Sequence, residues 1–111
     1  MTPTAKDSRT GWSVTTSATV LSDIASPLLL AHAARWELTL APTSHDLSLV
    51  RYRTRGDASW PWGPWVTATG VTPAAGATGT VAVDGVCAWE LDVECTASGG
   101  TATVAVYVVG V

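Results

Sequence analysis

Few side chains in this chain are of types that do chemistry, and their spacing argues against most reactions. There are two histidines, His32 and His45. His45 stands beside Asp46 in a turn-like stretch, residues 41–46, and no G-x-S-x-G elbow or other catalytic signature accompanies it. No catalytic set is read, and the chain is not expected to be an enzyme. A zinc site needs three or four His, Cys or carboxylate ligands at close spacing, and no Cys or His pair here is spaced for one. The carboxylates Glu90, Asp92 and Glu94 recur at period two. On a strand they would stand ~7 Å apart on one face, too wide for a single calcium ion without loop ligands. No metal or cofactor is therefore expected.

The acidic stripe has a basic counterpart. Arg51, Arg53 and Arg55 also recur at period two. Like charges two apart on one strand repel, so each stripe gains from facing an opposite one. The two stripes are expected to meet, either across strands or between subunits. Arg55-Gly56-Asp57 spells an integrin-binding tripeptide, which a chain of ordinary composition contains by chance. Trp60, Trp62 and Trp65 sit in a rigid Trp-Pro-Trp-Gly-Pro-Trp segment. Such tryptophans plug the open end of a sandwich, anchor a protein interface, or stack on sugar rings. These three tryptophans, the three arginines and the three carboxylates are the candidate partner or glycan contacts.

The elements that would position them read as short strands. Thr and Val are abundant, and branching at Cβ suits a pleated, half-buried surface. Residues 12–21 (WSVTTSATVL) alternate, after a polar, aperiodic arm at residues 1–11. Residues 22–34 fit either a short helix capped at Ser26-Pro27 or, as the neighbouring strands favour, a strand at Leu28 to Leu30. Residues 35–40 (RWELTL) alternate cleanly up to the turn at 41–46. Residues 47–54 slip in parity, which fits either a bulge near Val50 or a strand buried on both faces at its start. The Trp-Pro segment cannot be a central strand, because each Pro lacks a ladder donor; it reads as an edge or a rigid loop leading into residues 66–69. Residues 80–86 end at a hairpin-like Asp84-Gly85. Residues 87–96 alternate with Cys87, Trp89, Leu91, Val93 and Cys95 inward. Residues 97–100 turn, and residues 101–109 (TATVAVYVV) are apolar on both faces. Both faces of such a strand are expected to be covered, one by the core and the other by a neighbouring subunit. Seven or eight short strands with turns between them indicate one all-β domain at residues 12–111, an antiparallel β-sandwich or jelly roll.

Composition bounds the rest. At 111 residues there is room for one domain. Charged residues make up only 14%, against a typical ~25%, which suggests a surface rich in Ser and Thr or covered by other chains. Net charge is −3, with no basic patch, so nucleic acid is not an expected partner. Residues 1–20 lack a secretory apolar core and PLLLA at 27–31 is too short to span a bilayer, so no membrane partner is expected either. As ends of one strand, Cys87 and Cys95 would lie roughly 26 Å apart, beyond disulfide reach. Two buried free thiols suit a reducing compartment.

The progression SATVL, SPLLLAHAARWELTLAPTSHDLSLVRYR and ECTASGGTATVAVYVVGV resembles the small β-sandwich virion proteins of tailed bacteriophages. The likeness covers most of residues 12–111, although the Trp-Pro-Trp-Gly-Pro-Trp segment is no part of it. The resemblance implies a head decoration (cement) protein or a minor head or tail component. It also implies a homo-oligomer, with a trimer favoured, that binds major capsid or other virion proteins and is assembled in the bacterial host cytoplasm. The rival reading is a carbohydrate-binding module that uses Trp60, Trp62 and Trp65.

Overall fold

Alternating apolar residues become strands along most of the chain. The computed structural model describes residues 5–111. The strands are β1 (Ala5–Val14), β2 (Thr19–Val20), β3 (Leu28–Leu29), β4 (Arg35–Thr43), β5 (Asp46–Arg55), β6 (Val66–Thr67), β7 (Gly79–Asp84), β8 (Glu90–Ser98) and β9 (Ala102–Gly110). A single 3₁₀ turn, Leu21–Asp23, follows β2. The strands form two antiparallel sheets. The first has the order β1-β9-β4-β7; the second has the order β2-β8-β5-β6, with β3 also paired to β8. The protein is an all-β sandwich. The chain passes from one sheet to the other at nearly every connection, and β5 and β6 are successive strands that pair with each other.

The core lies between the sheets. From the first sheet Trp36, Leu38, Leu40, Val104, Val106 and Val108 point inward, and from the second Leu47, Val50, Leu91, Val93 and Cys95 meet them. Each fully buried side chain of this kind contributes about 1.5–3 kcal/mol by leaving water. Trp36 reaches across the gap to Tyr52, edge to face at 5.4 Å, a favoured aromatic geometry.

One irregularity sets up the candidate site. The pairing of β5 with β8 shifts between Leu47 and Leu49, so Ser48 is the extra residue of a bulge. A one-residue shift exchanges the two faces of a strand. Leu47 faces the core before the bulge and Val50 after it, which leaves Arg51, Arg53 and Arg55 outward. This is the parity slip visible in the sequence, two residues before Val50.

Several expectations are corrected. Residues 5–11, read as an arm, belong to β1: Ala5 to Arg9 pair with β9, and the register then shifts before Trp12; residues 1–4 lie outside the described residues. Asp7 and Arg9 of this stretch fasten the sandwich edge. Asp7 accepts from the Leu29 N–H at 2.9 Å, while Arg9 donates to the carbonyls of Ser26 and Pro27 at 3.1 and 2.8 Å. The strand expected over residues 12–21 stops at Val14, and Ala18 is exposed in the loop before β2. The turn at 41–46 shrinks, because β4 runs on through Pro42 to Thr43. β7 no longer flanks β4 there, so the missing Pro42 N–H removes no ladder bond. Asp84-Gly85 makes no hairpin, since β7 and β8 belong to different sheets. Cys87 lies before β8 and is exposed, and Trp89 is half-buried rather than inward. On the outward face of β9, Tyr107 is 39% exposed in the single chain.

Candidate functional site

The outer face of the second sheet gathers eight of the nine singled-out residues, all but Trp60. The register of β5 against β8 sets Arg51 opposite Glu94, Arg53 opposite Asp92 and Arg55 opposite Glu90. The stripes therefore meet across strands within one chain, and each rung carries an ion pair: 3.3 Å for Arg51–Glu94, 2.9 Å for Arg53–Asp92 and 2.7 Å for Arg55–Glu90. The acidic stripe is thus a salt-bridged face of the second sheet. Asp92 is fully buried and Glu94 nearly so, covered by the arginines and by what lies above them.

The middle rung is the most complete. Arg53 donates to Asp92 Oδ2 through Nε and Nη2 at 3.0 and 2.9 Å. Ser22 adds its hydroxyl to Oδ2 at 2.7 Å and its N–H to Oδ1 at 3.0 Å. The Val93 N–H also reaches Oδ1. A buried carboxylate is tolerable only when its lone pairs are satisfied in this way. The Arg51–Glu94 rung is looser, since Glu94 Oε1 receives the charge of Arg51 without an aligned hydrogen bond. Burial, and secondly the Glu94 charge, push the neighbouring Cys95 thiol far up, which keeps it protonated and inert.

The Trp-Pro-Trp-Gly-Pro-Trp segment is the roof of this ladder and not a plug at the sandwich end. The Arg53 guanidinium lies 4.3 Å from the Trp65 ring centroid and 5.1 Å from that of Trp62, and Arg55 lies 4.2 Å from Trp62. Carboxylate, guanidinium and indole thus form three layers, a geometry that suits the flat, weakly hydrated guanidinium. The segment is pinned by the Gly63 N–H donating to the Thr54 carbonyl at 2.9 Å. A Cβ on Gly63 would come within 3.1 Å of that oxygen, so this close approach favours glycine. Trp60 stands apart, 61% exposed with its ring edge against Gly56. The Ser59 N–H and hydroxyl hold the Asp57 carboxylate below its usual range and order the turn that carries Trp60. Of the three tryptophans, two are occupied by arginines and one is presented outward. In the Arg55-Gly56-Asp57 tripeptide the arginine is likewise engaged, with Glu90 and Trp62.

Sequence reasoning missed two participants. Ser22 belongs to the 3₁₀ turn, and nothing near it in sequence marks a partner seventy positions away. The Trp89 ring packs beside His32 at 5.3 Å, and the Trp89 backbone N–H donates to the Arg55 carbonyl. The other histidine, His45, holds the Thr101 carbonyl at 3.0 Å and packs on Gly100, where an added Cβ would come within 2.6 Å of the ring. Both cysteines are free thiols. Among the described residues no group of three or more His, Cys, Asp or Glu side chains is placed to hold a metal ion. What the face offers chemically is rigidity, an exposed indole and paired charge. No known protein-family model matches the chain, and no curated protein matches its sequence.

Proposed function

We propose that this chain is a non-enzymatic structural protein of a tailed-bacteriophage virion, a decoration protein or minor head or tail component. In this reading it acts by self-association and by binding capsid or tail proteins, and it is assembled in the host cytoplasm. One observation carries the non-catalytic half: the charged and aromatic residues that looked chemical are spent on one another in the three-layered ladder. A group held in a rigid ion pair is suited to stiffening a sheet rather than to transferring protons. The resemblance in strand order and composition supports the virion half. Immunogold labelling of phage particles produced from the encoding genome tests it. Labelled particles are expected; bare particles, with the chain left free in the lysate, would overturn it.

A second reading is favoured by Trp60 alone. Its exposed indole on an ordered turn suits stacking on a sugar ring. A glycan array probed with the wild type and with Trp60→Ala separates the two readings.

A further inference from the structure

The outer face of the first sheet has a composition that its own chain does not account for. Across three neighbouring strands, one row reads Lys6 on β1, Val109 on β9 and Glu37 on β4. The next row reads Ser8, Tyr107 and Thr39. Lys6 and Glu37 are two opposite charges flanking a central strand of small and apolar side chains. Neither forms a salt bridge among the described residues. Beside Glu37 lies a shallow hollow of about 320 Å³, whose walls include Trp36, Val83 and Val109.

We infer that this face pairs with the same face of a second copy about a two-fold axis running along β9. The inference rests on the self-association proposed above and names its surface. The symmetry decides the contacts. Rotation about an axis along β9 leaves that strand facing its own image and exchanges β1 with β4. Lys6 of each copy then stands over Glu37 of the other, twice per dimer, with its ammonium at the rim of the hollow. Tyr107 meets Tyr107 on the axis, and the small side chains beside it let the rings slide into an offset stack. A two-fold contact of this kind is self-complementary and closed. It gives dimers rather than the trimer that the resemblance implied.

The size of the overlap fixes the strength. Three strands of nine residues cover a plane of roughly 430 Å² per copy. This is below the standard interface of about 800 Å² per partner and within the transient class. The pair should form weakly in dilute solution. It would be held firmly only where many copies are arrayed and avidity adds to each contact.

Sedimentation equilibrium of the whole chain from micromolar to millimolar concentration tests the inference. A reversible monomer–dimer equilibrium is expected. Lys6→Glu and Glu37→Lys should each weaken it roughly three- to tenfold, and together they should restore it, because the exchange leaves opposite charges facing each other. Ser8→Arg, on an exposed edge position, should weaken it without touching the core; circular dichroism verifies folding for every variant. A dimer or larger assembly indifferent to all of these substitutions overturns the face and leaves self-association standing. A strict monomer at millimolar concentration overturns both.

Discussion

At the residue scale, the decisive group is Asp92, buried with five hydrogen bonds. Removing one partner of a buried ion pair strands the other charge in a poorly solvating place, whereas replacing both with apolar groups is often neutral. Arg53→Ala is therefore expected to destabilise the fold by about 3–5 kcal/mol, and Arg53→Met with Asp92→Leu by much less. Urea unfolding of the single and double variants measures the difference. The cysteines differ as sharply. Native protein should expose one thiol to a thiol-reactive dye, Cys87, and unfolded protein two, because Cys95 is fully buried. A third prediction concerns acid. Burial pushes the Asp7 carboxyl up, but hydrogen bonds from Arg9, Leu29 and Ser8, together with the Arg9 charge, outweigh it and hold the group below its ordinary value. A carboxyl depressed in the folded state stabilises above its unfolded pKa of ~3.9 and loses that contribution as pH falls through the native value. Asp7→Asn should thus be less stable than wild type at pH 6, and the gap should close below about pH 4.

At the scale of elements, the Trp-Pro loop and the β5 bulge act together. Without Ser48 in the bulge, the three arginines would share the face of Leu47 and point into the core. With it, they line up under Trp62 and Trp65. The tryptophans are accordingly unequal. Trp62→Ala and Trp65→Ala should each cost about 1–3 kcal/mol through lost cation–π contact and burial, while Trp60→Ala should stay within about 0.5 kcal/mol. Thermal melting of the three variants shows whether the ranking holds. Much of this was legible beforehand. The period-two charges, the parity slip and the proline-broken segment are local patterns, and local patterns survive in a sequence. What could not be read was which strand lies beside which. Asp84-Gly85 looks like a hairpin because its turn chemistry is that of one, yet the chain there crosses to the other sheet. Cys87 continues the alternation of β8 although it lies three residues before β8 begins. The layering of indole on guanidinium on carboxylate joins segments far apart in the chain, so only the tertiary register shows that the stripes and the tryptophans are one site.

At the scale of the whole molecule, the sandwich has one stiffened outer face and one plain one. The second sheet carries the ladder and its indole roof; the first carries mostly Thr, Ser and Ala around Tyr107. This division accounts for the low charge content without surplus apolar surface, since Thr and Ser hydrate a sheet face without ionic groups. β1 is also essential beyond its own few core residues, for it covers one edge of β9. Deleting residues 1–14 should expose that edge and its unpaired backbone groups, and an exposed apolar edge recruits other strands. The truncated chain is expected to aggregate during refolding under conditions in which the full chain stays clear, as light scattering would record.

The pairing of β1 with β9 also decides how the molecule bears load. Ala5 lies opposite Gly110, and Val14 opposite Ala102, so the two ends of the described chain leave the fold side by side. Tension applied between them would peel β1 from β9 one rung at a time, as a zipper opens, instead of shearing all the rungs together. Pulled through both ends, this fold yields at low force. Anchored by one end and pressed down through a face, it loads every rung at once and resists.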